Sequence, residues 1–219
     1  MKHLFSTSFI PYQYFFLFIL AFFYSCEEST DPIQDPIQAP SRNLSAQEIM
    51  SIQGISSIHF AKYDSVIVNG NSYDHFVPSF EFHIELNRMK MNQYYLGTPD
   101  WNITVYDFNK DSVWNYYSGQ LTFPQIPDLR FTIDSYIQSQ LGSNLKGSIN
   151  FLRTEYIDDK LCNVFSDSTG YIEWVWTKYR LPVQYRVESY HDVHQIGVVQ
   201  KRDIEINVEF PDSLFEPPL

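Results

Sequence analysis

The chain has 219 residues and carries 26 acidic against 15 basic side chains, a formal charge of −11 at pH 7. That acidity excludes nucleic acid as a partner, since phosphates are neutralised by Lys and Arg, and excludes adhesion to an anionic lipid surface through a basic face. The length suits one domain with a substantial core and is short for two.

In chain order the first element is Tyr14–Cys26, YFFLFILAFFYSC, preceded by Lys2 and His3. Its uncharged run of about 11 residues is too short to cross a bilayer, which takes ~20, and matches the hydrophobic part of a secretory signal. Ser25-Cys26 resembles a bacterial lipoprotein cleavage site. The resemblance implies a signal peptide over residues 1–25 and acylation of Cys26 by diacylglyceryl or palmitate-type chains. A plain signal peptide or an uncleaved N-terminal anchor is the alternative. Each buried CH₂ contributes ~0.8 kcal/mol, so two or more chains hold even an acidic protein on a membrane. Glu27-Glu28 resembles the acidic export tags of surface-displayed lipoproteins. It points to the outer membrane ahead of the inner, with the domain periplasmic or surface-exposed.

Residues 26–43 then read as a proline-spaced tether. The tandem DPIQ-DPIQ with Pro32, Pro36 and Pro40 forms no helix and has too little apolar surface for a core. A domain over residues 44–219 opens on Ser45-Ala-Gln-Glu48, a capping box. A short amphipathic helix follows through Ile49 and Ile52 and ends at Gly54. Beyond Ile55 the period is two. Phe80, Phe82, Ile84 and Leu86 alternate with Glu81, His83, Glu85 and Asn87. The pattern repeats at Trp101, Ile103 and Val105, at Ile172, Trp174 and Trp176, and at Ile204, Ile206, Val208 and Phe210. Turn residues such as Asn69-Gly70, Gly97-Thr-Pro99, Asn109-Lys-Asp111 and Asp167-Ser-Thr-Gly170 separate the runs.

Thr132–Leu141 breaks this pattern, with Ile133, Tyr136, Ile137 and Leu141 on one helical face and Gly142 placed as a cap. The preceding residues 119–131 read as a long loop over the mouth of the fold. An antiparallel sheet apolar on one face must cover that face. The expected fold is therefore mainly β (α+β): an open antiparallel half-barrel of about 10–11 strands, with two short helices on its concave face.

The stretches Trp174-Val-Trp-Thr-Lys-Tyr-Arg-Leu-Pro182-Val and Phe210-Pro-Asp-Ser-Leu-Phe-Glu-Pro-Pro218, behind this element order, resemble the lipoprotein-sorting superfamily of LolA and LolB. The resemblance spans about residues 45–217. It implies an eleven-stranded half-barrel with a helical lid and an apolar cavity for acyl chains, and the anchor is closer to LolB than to soluble LolA. The cavity-lining candidates are Phe80, Phe82, Ile84, Leu86, Trp101, Ile137, Trp174 and Trp176, each also suited to ordinary core packing.

No catalytic set, cofactor or metal site emerges. Asp107-x-Asn109-x-Asp111 begins like a calcium loop, but Ser112 and Ser118 stand where Gly and Glu are needed, so a hairpin turn is expected. His191 and His194 diverge at a strand end. Glu81, Glu85, Glu205 and Glu209 fall on polar strand faces and are expected to be solvated. A hydrolase would need a carboxylate beside His59, His75 or His83 in the cavity. Cys162, in the apolar context LCNVF, is expected to be a buried core residue. The reading is a monomeric, non-enzymatic envelope lipoprotein with an acyl chain, lipid or lipidated protein as ligand. A filled half-barrel serving protein–protein assembly is the alternative.

Overall fold

The computed structural model describes residues 35–74, 77–95, 101–190 and 194–218. The leader, Cys26, His75, the turn at residues 97–99 and His191 lie outside the described residues, as does the side chain of His194. After helix α1 (Ala46–Gln53) come strands β1 (Ser57–Val68), β2 (Asn71–Asp74), β3 (Phe80–Glu85), β4 (Arg88–Tyr94), β5 (Trp101–Asp107), β6 (Ser112–Tyr117) and β7 (Gln120–Thr122). Helix α2 (Leu129–Leu141) precedes β8 (Asn150–Ile157), β9 (Lys160–Ser166), β10 (Ile172–Trp176), β11 (Leu181–Tyr190), β12 (His194–Ile206) and a 3₁₀ turn at Asp212–Phe215.

Among the described residues all strand pairs are antiparallel, in the order β7-β6-β5-β4-β3-β1-β12-β11-β10-β9-β8, with short β2 beside β1. This is the expected open half-barrel, with eleven strands in one path and β2 as a twelfth. It consists of two meanders seamed by the β1–β12 pair, instead of one continuous run. The seam puts β7 and β8 at opposite edges, so the chain between them must cross the sheet. Helix α2 is that crossing. Its apolar stripe buries Ile133, Ile137 and Leu141 against Phe60, Phe82, Ile84, Met89 and Trp174 in one core cluster.

Local chemistry sets the helix ends. Ser45 and Glu48 form both halves of the capping box, and Gly54 ends α1 in the left-handed region at φ 64°. Ile52, expected on the apolar face, is instead exposed, while Met50 and Gln53 take the inward positions. Helix α2 begins three residues before the spacing predicts, because the Asp128 carboxylate accepts from the Phe131 amide at 2.9 Å. The expected mouth loop is shortened accordingly and also contributes β7. Gly142 does end α2, but in an extended conformation. Glycine is needed there for space, since a Cβ would lie 2.7 Å from Arg42 Cα and 2.8 Å from the Gln138 carbonyl oxygen.

That close approach comes from the segment before α1. Ser143 donates its amide to the Pro40 carbonyl at 2.8 Å, and Arg180 Nε donates to Gln38 O at 2.9 Å. Ala39 is buried with Phe165 and Val175. The compact unit therefore starts at Pro36, ahead of the capped helix. The Asp107–Asp111 stretch is the β5–β6 hairpin turn, with the Asp107 carboxylate accepting from the Lys110 amide at 3.2 Å.

Candidate functional site

Strand periodicity sends alternate residues of each strand to opposite faces, and the two faces carry different chemistry. On the helix-covered face, Phe82, Ile84, Ile137 and Trp174 meet in the main core cluster, with Phe80, Leu86 and Trp176 packed at its margin. Trp101 does not join them. It lies at the open start of β5 and is 41% exposed, and its strand neighbours Ile103 and Val105 point to the other face, into a cluster with Trp114, Phe210 and Phe215. The alternation at Trp101, Ile103 and Val105 was sound, but a period of two does not say which face is concave. The FPDSLF segment supplies the cover for that second face. Trp114 Nε1 donates to the Phe215 carbonyl at 3.0 Å, and the Arg88 guanidinium lies 4.4 Å over the Phe215 ring.

Among the described residues, a handful of polar contacts fasten α2 over the concave face, including Gln53 Nε2 donating to Leu141 O at 2.8 Å. Arg130 Nη1 donates to Asn87 Oδ1 at 2.7 Å, and Gln138 Nε2 donates to the Leu44 carbonyl at 3.0 Å. The buried Lys201 ammonium donates to Gln140 O and, at 2.6 Å, to Pro182 O. Burial pushes Lys201 down to about 7, against an upward pull from Glu173. Glu173 is itself buried and raised by desolvation, and its carboxylate accepts from Ser143 Oγ and the Asn144 amide at 2.7 and 3.0 Å. Cys162 is the buried core residue expected, its thiol pushed up to about 11 by desolvation. At the helix surface, Phe131, Ser135, Tyr136 and Ser139 line an open hollow of about 400 Å³. Phe131 stands out there at 69% exposure, and Phe123, in the segment before α2, at 60%.

The opposite face holds a grouping that sequence reasoning missed. The β1–β3 register sets His59 directly across from His83, and the β1–β12 register sets Glu205 across from His59. The two imidazoles stack with centroids 4.4 Å apart. Glu81 is not freely solvated. Its Oε1 accepts from His59 Nε2 at 2.9 Å, and its Oε2 accepts from Asn92 Nδ2 at 2.7 Å and the Tyr94 hydroxyl at 3.1 Å. His59, followed by Asn92 and Tyr94, holds the Glu81 carboxyl down at about 2. The Glu81 hydrogen bond raises His59, whereas burial and the neighbouring His59 push His83 down to about 4. A hollow of about 720 Å³ opens beside them, lined by His59, Arg202 and Glu205 among others. The available signal was that His59 and His83 each precede or follow an inward aromatic, Phe60 and Phe82. Only the register joins the two strands.

In sequence the chain matches no family model and no curated protein. Among solved structures it is similar to LprF from Mycobacterium bovis, at 12% identity over 79% of this chain and 98% of that one, with a TM-score of 0.40. It is similar to lipoprotein LppX from Mycobacterium tuberculosis at 13% identity over 74% and 94%, TM-score 0.39. It is also similar to the LolA superfamily protein NE2245 from Nitrosomonas europaea at 12% identity over 80% and 98%, TM-score 0.34. At such identities the likeness is one of architecture alone.

Proposed function

We propose that the protein is a lipid-anchored envelope protein that binds its ligand without transforming it. The ligand is an acyl chain, a lipid or the lipidated end of another protein, taken up beneath α2. The observation that carries this reading is the seat of α2, a helix with a wholly buried aliphatic stripe laid across an apolar sheet face and held by a handful of polar contacts. An alkyl chain of ~16 carbons contributes ~12 kcal/mol gross at ~0.8 kcal/mol per CH₂. Uncovering Ile133, Ile137 and Leu141 costs about 1.5–3 kcal/mol each, so exchange of helix for ligand is within reach. Met89 and Met91 in the same cluster adapt to a changed neighbour. Exposed Phe123 and Phe131 give a ligand an apolar approach.

Acylated Cys26 supplies the anchor in this reading, with the proline-spaced tether read over residues 26–43 between it and the domain, its last residues from Pro36 on belonging to the compact unit. The outer membrane is the proposed location, tested by protease accessibility on intact cells. Ligand binding is tested by mass spectrometry of co-purified lipid and by titration of delipidated protein with a fluorescent fatty acid. Absence of any bound or exchangeable lipid sinks the carrier reading.

One observation favours the assembly alternative. β8 is an edge strand whose Phe151, Leu152 and Tyr156 face solvent, the kind of edge that accepts a partner strand. If lipid never enters, this edge becomes the leading candidate for function.

A further inference from the structure

We propose that His59, Glu81 and His83 form a binding site for a divalent transition metal of the zinc type on the outer face of the sheet. One ring nitrogen from each histidine and a carboxylate oxygen of Glu81 lie within 4.8 Å of one another. Ligands at ~2.0–2.2 Å from a tetrahedral zinc stand roughly 3.4 Å apart, so small side-chain rotations close the set around an ion. Two imidazoles and one carboxylate suit zinc and its neighbours, whereas calcium and magnesium take oxygen donors.

Three further features point the same way. The Glu81 carboxylate is already oriented, since Asn92 and Tyr94 hold Oε2 and leave Oε1 toward the histidines. Such outer partners are what aim a metal ligand. His83 Nδ1 is buried with no hydrogen-bond partner among the described residues, and a buried polar atom in that state calls for an explanation. Glu205, with an oxygen 3.3 Å from His59 Nδ1, stands at the mouth of the adjoining hollow, which provides a fourth ligand or an open position and a path for the ion. Lys90, across from His83 on β4, adds one positive charge against the two carboxylates.

The site is independent of the lipid reading, because it lies on the face opposite α2. The full-length chain in detergent, stripped with a chelator, is titrated with Zn²⁺ by calorimetry. The expected result is one Zn²⁺ per chain, with affinity lowered at least about tenfold in His83→Gln and in Glu81→Gln. Asn92→Leu, which removes a partner of Glu81 and no ligand, is expected to lower affinity by about 10–100-fold. Where a variant does not fold, X-ray absorption at the zinc edge of the unaltered protein decides, with two imidazole nitrogens and a carboxylate in the shell expected. Absence of Zn²⁺ binding, affinity unmoved by His83→Gln and Glu81→Gln, or a shell with fewer than two imidazoles overturns the proposal.

Discussion

Lys201 of β12 donates its buried ammonium to the carbonyl of Gln140 in the last turn of α2, so the crossing helix is fastened at its C-terminal end by a cation from the sheet. A positive charge there also suits the negative end of the helix dipole. The same ammonium reaches Pro182 O and lies 5.3 Å over the Phe60 ring.

Burial of this ammonium makes stability depend on pH in an unusual window. Lys201 sits at about 7 in the folded protein, while an unfolded lysine lies near 10.4. Between pH 7 and 9 the unfolded chain therefore binds more protons, and stability rises with pH, by about 2 kcal/mol. The contribution is lost as pH falls through 7. Urea denaturation at pH 7, 8 and 9 is expected to show the rise in the unaltered protein and a flatter profile in Lys201→Met. Equal slopes in both would remove Lys201 as its cause.

Truncating Ile137 to Ala opens a cavity where α2 meets the sheet, and is expected to cost about 3 kcal/mol. Trp101→Ala removes a larger side chain from the half-exposed start of β5, and is expected to cost about 1 kcal/mol or less. Chemical denaturation of the two variants side by side checks the ordering. A reversal would mean that Trp101 belongs to the core after all.

Gly142→Ala places a methyl group against Arg42 Cα and the Gln138 carbonyl. The expected cost is about 1–3 kcal/mol, with the segment from Pro36 to Arg42 pushed off the domain. Limited proteolysis should then cut within residues 36–42 sooner than in the unaltered protein, while cleavage elsewhere keeps its order.

Cys26→Ala is expected to move the protein from the detergent-rich to the aqueous phase in a phase-separation assay. One acyl chain binds marginally and two or more bind firmly. A variant that stays with the detergent would replace the lipid anchor by an uncleaved leader.

Much of the fold was legible because it is written in local periodicity. The alternation at Phe80–Leu86 and at Ile172–Trp176, the Ser45–Glu48 box and the helical spacing of Ile133, Ile137 and Leu141 are all short-range signals. The apolar face under α2 was legible to the same extent, and Phe82, Ile84, Ile137 and Trp174 do meet in one core cluster.

What escaped were relations between distant residues. Nothing near Phe210 or Phe215 says that they pack on Ile103 and Trp114, and nothing near Glu81 says that His59 will stand beside it. The second follows from strand register, which pairs Phe60 with Phe82 and thereby brings His59 to His83. A one-residue slip of β1 would have sent Phe60 and His59 each to the opposite face. Gly142 shows the same limit at smaller scale: its place at the helix end was readable, but the chain crossing above it was not.

The seam between β1 and β12 carries a consequence for how the chain matures. Ile58 pairs with Ile206, so the strand formed earliest in synthesis waits for nearly the last one. Closing so long a loop is entropically costly and slows folding. Until that last strand is made, β1 is paired on its β3 side and leaves its other edge open to mispairing.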